Sequence, residues 1–265
     1  VQECMDLGAA AHIAAIRGHL PVQHFFDGFR TSHEIQKIEV LDYDDLAKLV
    51  DRGELKKFRD RALNPEHPTI RNINGTDDIC FQFRESVNPV YDTFPAVMEE
   101  TLKKISALTG RDYRLFNYYG APDAERVVVA MGSVCEALME VVDYLNERGE
   151  KVGMIQIHLY RPFSLKHFLA AIPESCKVLT TLDRSKEPGA LGEAIFEDVS
   201  AALYETGRRL TLLGGRYGLS SKDTTPGQII AVYNNTEKKE FTIGIEDDLT
   251  NLSLTVTENP NTAAA

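Results

Sequence analysis

Cysteine is scarce in this sequence: four in 265 residues, at positions 4, 80, 135 and 176, with no CxxC pair and no Cys/His couple at zinc spacing. Thiols this dispersed read as small packed core residues in a reducing compartment. They exclude ligation of an iron-sulfur cluster within this chain in the usual clustered manner. Long apolar runs are also missing. Nothing approaches the ~20 residues needed to cross a bilayer, and mean hydropathy is -0.24, so no membrane association is expected. Basic residues are outnumbered, 29 against 40 acidic for a net charge of -11, and they form no stripe, which makes nucleic acid a poor partner. GxGxxG and GxxxxGK[ST] are both absent, so no phosphate loop is indicated. The dispersed thiols and missing apolar runs give the expectation of a cytoplasmic chain; an initiator Met and the basic start and apolar core of a signal peptide are lacking too. The opening inside a helix-like stretch and the polar close at Asn-Pro-Asn-Thr-Ala-Ala-Ala give both ends a cut look.

What is present is enough for a folded protein. At 43% hydrophobic and 26% charged, the chain is not a disordered one and has the size of one large domain or two ordinary ones. Met5, Ala9, His12, Ile13 and Ile16 recur at helical spacing, with Gly18 as a natural stop. The run from Leu20 to Phe26 reads as a buried strand and Ile35 to Leu41 as a second. Asp42, Asp44 and Asp45 then suit the start of a short helix over 46–50. From Asn64 to Asn88 the Pro, Asn, Gly and Asp content predicts a long surface loop, of a length that is usually functional or wraps a neighbouring subunit. Asn88-Pro89 to Thr109 is a long amphipathic helix closed by Gly110. Tyr113 to Pro122 reads as a connection.

Beyond it the rhythm is regular. Strands are expected at 127–131, 152–159, 177–182, 210–213 and 241–245, and helices at 134–148, 165–171, 191–205 and 226–233. Apolar strands alternating with helices specify a mainly parallel sheet covered on both faces. Residues 250–265 return to polar, turn-rich sequence.

Several loops carry chemistry-bearing residues. Asp27-Gly28-Phe29-Arg30-Thr31-Ser32-His33-Glu34 follows a predicted strand, the position where open α/β sheets receive ligands. Asp27, Arg30, Thr31, Ser32 and His33 are therefore the candidate substrate-side or interface residues, His33 as a general base, a substrate-orienting group or a structural imidazole ordering the loop. Gly132-Ser133 is a strand-to-helix turn able to offer N–H groups to an anion, and more commonly only a tight connection. Arg161, the 182–189 loop and the 214–222 loop bring basic side chains toward the carboxyl edge of the sheet. They would bind an anion, dock a neighbouring domain or be used up in salt bridges. No metal site is proposed.

Six segments then carry a resemblance: FFDGFRTSHEIQKI (25–38), YGAPDAERV (119–127), LYRPF (159–163), LDRSKEPGA (182–190), GRYGLSSK (215–222) and GIEDDLT (244–250). In this order and spacing they resemble the pyruvate:ferredoxin (flavodoxin) oxidoreductase family. The resemblance implies the end of a thiamine-diphosphate-type pyrimidine-binding α/β domain over 1–92, a transketolase C-terminal-like α/β domain with a mainly parallel sheet over 93–248, and the start of a CoA-associated third domain over 249–265. It implies a homodimeric enzyme using thiamine diphosphate, Mg²⁺ and [4Fe-4S] clusters to convert pyruvate and CoA into acetyl-CoA and CO₂, with ferredoxin or flavodoxin as electron acceptor. The family's aminopyrimidine-activating glutamate, its carboxylate-binding arginine, its GDG...N motif and its CxxC ligands have no counterpart here. No catalytic, cofactor-binding or metal residue is assigned to this chain, whose expected partners are the remaining domains of the same enzyme, and which alone should bind neither thiamine diphosphate nor iron. A related 2-oxoacid:ferredoxin oxidoreductase and a noncatalytic transketolase-like scaffolding module are the alternatives.

Overall fold

The computed structural model describes residues 1–68, 77–245 and 249–260, with the side chains of Arg30 and Asp78 excepted. Contacts divide the chain into two units. One comprises Val1–Phe25, Ile35–Leu115 and Leu159–Pro162; the other comprises Phe26–Glu34, Phe116–His158 and Phe163–Ala265.

The first unit is helical among its described residues. It holds α1 (Gln2–Gly18), and α2 (Arg30–His33) falls in the second unit; α3 (Tyr43–Leu49), α4 (Arg52–Asp60), α5 (Asp77–Ser86) and α6 (Asn88–Thr109) follow. Small residues make the central contact possible. Ala10, Ala11, Ile13 and Ala14 of α1 are buried, as are Phe94, Met98, Leu102 and Ile105 of α6, and the two helices pack along these stripes. Gly18 closes α1, yet the left-handed residue is His19 (φ 52°). Glycine is required at 18 for space, because a Cβ there would meet the Phe94 ring at 2.5 Å. The expected acidic start is found: the Asp42 carboxylate accepts from the N–H groups of Asp44 and Asp45 at 2.8 and 3.1 Å, satisfying two orphan donors of α3.

Two expected strands are absent. Residues 20–26 and 35–41 have no ladder partner, because an apolar β-branched run becomes a strand only where another strand can pair with it. For 35–41 part of that pairing comes from a side chain. Gln2 accepts from the Glu39 N–H at 2.8 Å and donates to the Glu39 carbonyl at 3.1 Å. Fully buried Asp6 anchors the same region, receiving Arg111 Nε at 2.6 Å and the Tyr113 hydroxyl at 2.6 Å, while Arg111 Nη1 reaches Glu39 at 2.7 Å. The loop expected over 64–88 is also partly corrected: residues 69–76 lie outside the described residues, but 77–86 form α5, with Ile79 and Phe83 at i and i+4. Of the cysteines, 135 and 176 are buried as expected, whereas Cys4 is half-buried and Cys80 exposed.

The second unit is the expected mainly parallel sheet. Its strands are β1 (Phe116–Gly120), β2 (Arg126–Ala130), β3 (Val152–Ile157), β4 (Val178–Asp183), β5 (Thr211–Arg216) and β6 (Glu240–Thr242), in the order β1-β3-β2-β4-β5-β6. All neighbours are parallel except the β1–β3 pair. β1 stands where a connection was expected. Its edge position and its close at Gly120 opposite Gly153, where a Cβ would sit 2.5 Å from the partner Cα, blur the alternation that marks a strand. The helices α7 (Val134–Asn146), α8 (Leu165–Ala171), α9 (Ala194–Thr206) and α10 (Pro226–Asn234) connect the strands. Positions along β2, β3 and β4 are buried in succession, so both faces are covered. Val128, Met154, Leu138, Ile229, Tyr233 and Phe241 belong to one core cluster. A separate aromatic triad, Phe116, Phe163 and Phe168, meets at centroid separations of 5.2–5.4 Å. Among the described residues no helix is long and apolar enough to cross a membrane.

Candidate functional site

Strand order fixes where a site can form. The chain passes from β2 to β3 on one side and then returns to place β4 on the other side of β2. The loops leaving the carboxyl ends of β2 and β4 therefore diverge, and the crevice between them is the topological switch point where sheets of this kind receive ligands. The loop after β2 is Met131-Gly132-Ser133; the loop after β4 begins at Arg184.

That crevice contains a carboxylate from the chain itself. Asp27 Oδ2 accepts from the Ser133 N–H at 2.7 Å, and Asp27 Oδ1 pairs with Arg184 Nη1 at 2.9 Å. Arg184 is oriented in turn by donating Nε to the Gly218 carbonyl at 2.9 Å. Gly132, at φ 83°, admits the carboxylate, since a Cβ there would lie 2.8 Å from Oδ2. The hydroxyl of buried Tyr217 titrates above the ordinary tyrosine range, through burial first and the Asp27 charge second. Burial pushes the Asp27 carboxyl up, but the Ser133 donors and the Arg184 guanidinium outweigh it and hold the group below its ordinary value. The anion position at the start of α7 is thus filled by Asp27.

The remaining candidate loop residues are placed less centrally. Arg30 opens α2, and its side chain lies outside the described residues. Thr31 is half-buried, Ser32 and His33 exposed. The Ser32 hydroxyl donates to the Phe29 carbonyl at 2.9 Å, the His33 Nδ1–H donates to the same oxygen, and the His33 ring lies 6.0 Å from that of Phe29. Phe29 itself takes φ 55°, ψ -103°, a strained backbone for a bulky residue.

A second cluster borders the same edge. Asp183 ends β4 and accepts from the N–H groups of Ile195 and Phe196 at 2.9 and 3.3 Å; burial nevertheless pushes its carboxyl up to about 6. Buried Glu193 accepts from the Glu187 N–H at 2.6 Å and pairs with buried Arg216 at 3.2 Å, which also reaches Glu240 at 2.8 Å. Of the basic loops, then, Arg184 and Arg216 are used in salt bridges within this unit. Arg161, in the other unit, stacks its guanidinium 4.2 Å from the Tyr160 ring centroid. Ser133, Arg184 and Gly218 were visible only as separate loop residues, because their convergence depends on strand order.

Residues 1–103 match the family described as pyruvate flavodoxin/ferredoxin oxidoreductase, thiamine diphosphate-binding, and residues 124–229 match pyruvate:ferredoxin oxidoreductase core domain II. The chain belongs to the pyruvate flavodoxin/ferredoxin oxidoreductase family. It is 54% identical over 262 residues to the pyruvate-flavodoxin oxidoreductase of Enterobacter agglomerans, covering 97% of this chain and 22% of that protein. It is 52% identical over 267 residues to the pyruvate:ferredoxin oxidoreductase of Moorella thermoacetica, covering 99% and 23%. The pyruvate dehydrogenase [NADP(+)] of Cryptosporidium parvum is 44% identical over 264 residues, covering 97% and 14%. The chain thus spans less than a quarter of the length of these relatives.

Among the described residues no three His, Cys, Asp or Glu side chains stand together as metal ligands. The two carboxylates bordering the crevice, Asp27 and Asp183, already accept backbone N–H groups. A surface hollow of about 510 Å³ lined by Tyr118, Tyr119, Asp143 and Asn146 lies by Gly120, opposite the first residues of β3, at the end of the parallel strands away from the switch point.

Proposed function

We propose that this chain is an architectural segment of a pyruvate:ferredoxin or flavodoxin oxidoreductase, an enzyme that converts pyruvate and CoA into acetyl-CoA and CO₂ and reduces a carrier protein. The observation that carries this reading is the filled switch point. Where a sheet of this type would take a ligand, Asp27 of the chain's own loop sits against Ser133 and Arg184, so the segment frames a site instead of holding one. In this reading residues 1–92 complete a thiamine-diphosphate-type domain, 93–248 form a transketolase C-terminal-like domain, and 249–265 lead into a CoA-associated domain.

Mg²⁺, the [4Fe-4S] clusters and the remaining catalytic groups then belong to other parts of the polypeptide, which works as a cytoplasmic homodimer. Thr31, Ser32 and His33 face the substrate side or the subunit interface. Electron acceptor choice resides outside this segment, because relatives named for flavodoxin, ferredoxin and NADP(+) share it at 44–54% identity. The test is turnover by the full-length polypeptide. CoA-dependent oxidation of pyruvate with reduction of ferredoxin or flavodoxin is expected; oxidation of another 2-oxoacid in preference to pyruvate, or of none, would reject the reading.

A further inference from the structure

Residues 26–34 precede β1 by more than eighty positions, yet they belong by contacts to the unit that contains the sheet. Asp27 makes two of the contacts that hold them there. Each oxygen of the Asp27 carboxylate has its own donor: the Ser133 N–H for Oδ2 and the Arg184 guanidinium for Oδ1. The carboxylate side chain is only 16% exposed, so these charge-assisted bonds are formed largely out of water, where they are strong. The receptor is itself rigid. Ser133 immediately precedes α7, and Arg184 is tied through Nε to the Gly218 carbonyl.

Two residues beyond Asp27 the chain passes through the strained Phe29, whose carbonyl accepts from both Ser32 and His33. A bulky residue persists in such a conformation only where its surroundings over-determine it. The closed turn on one side and the gripped Asp27 on the other supply that constraint. Phe26 and Phe29 remain 56% and 70% exposed, so apolar burial contributes little to holding the segment. The Asp27 contacts are therefore a polar attachment of the segment to the sheet.

We propose that Asp27 is a positioning residue: gripped by the Ser133 N–H and Arg184, it fixes residues 26–34 on the switch point of the sheet and thereby sets Thr31, Ser32 and His33 for the reaction of the full enzyme. The proposal rests on the function assigned above, and it makes Arg184 the second half of one device. Asp27→Asn keeps the size and one acceptor while removing the charge; Arg184→Gln removes the other half without touching the 26–34 segment.

The experiment uses the full-length enzyme, with hydrogen exchange of the 26–34 peptide and steady-state pyruvate oxidation measured on wild type, both single variants and the double variant. Far-UV circular dichroism verifies that each variant folds. Exchange of the segment is expected to accelerate about tenfold or more in either single variant, as for local release of a charge-assisted contact. The kcat should fall by about tenfold with KM changed less than about twofold, the pattern of lost positioning. The double variant should be no worse than the singles, because both remove the same contact. Unchanged exchange in Asp27→Asn would overturn the clamp, and faster exchange with unaltered kcat would overturn its role in positioning. If the wild-type enzyme does not oxidise pyruvate, the assigned function fails, while the exchange measurements still decide whether the clamp exists.

Discussion

Arg216→Met is expected to destabilise the sheet-containing unit by about 3 kcal/mol, the lower end of the cost of breaking a buried ion pair, because Glu193 keeps the longer 3.7 Å contact from the half-exposed Lys186 Nζ. Arg216 and Glu193 are 8% and 5% exposed and 3.2 Å apart, so solvent cannot take over the lost partner. Glu193 also accepts the Glu187 N–H at 2.6 Å, which ties the loss to the 184–193 loop. Native-state hydrogen exchange of the β4 and β5 amides reads the effect. Their slowest protected positions should lose protection together, since the two strands pair from Val178–Thr211 to Asp183–Arg216. The double variant Glu193→Gln/Arg216→Met should lose less than the single one, because it no longer buries a carboxylate deprived of its close cation. Equal losses would mean that the pair contributes only by its packing.

Phe168→Ala should cost a similar amount, about 3–5 kcal/mol for an aromatic ring removed from a core that cannot collapse around the gap. Phe168 is 0% exposed, and its ring meets Phe116 at 5.4 Å and Phe163 at 5.2 Å, nearly edge to face. Phe116 lies on edge strand β1, which is held by a single neighbouring strand. The loss should therefore appear first in the β1 amides and only afterwards in β4. Phe168→Leu fills part of the space and should recover a substantial fraction. Retained β1 protection in Phe168→Ala would contradict the assignment of this triad as the anchor of the edge.

These two sites differ in how far the sequence exposes them. Val127 to Val129 is an apolar run and Val178 to Leu182 (Val-Leu-Thr-Thr-Leu) a β-branched one, and the helices between the strands repeat apolar positions at helical spacing, so the parallel strands and α7 to α10 were legible locally. Nothing local gives strand order. The crevice between β2 and β4 exists because β3 and β4 lie on opposite sides of β2, and the closeness of Ser133 and Arg184 follows only from that. Asp27 stood out as an acid in a polar loop, but its donor Ser133 is 106 residues away, a separation over which no pattern survives. The expected strands at 20–26 and 35–41 failed for a related reason. Ile35 to Leu41 has strand composition, yet its edge is met at Glu39 by the Gln2 side chain, and composition cannot distinguish that partner from a strand. Gly18 illustrates a smaller confusion: it ends a helix, as expected of glycine, but for the space taken by Phe94.

The central claim is that this segment frames a thiamine-dependent site without holding the cofactor, and calorimetric titration with thiamine diphosphate and Mg²⁺ tests it most directly. The full-length polypeptide is predicted to bind, and residues 1–265 expressed alone, folded by circular dichroism, are predicted to give no heat above dilution. Micromolar binding by residues 1–265 alone would contradict the account.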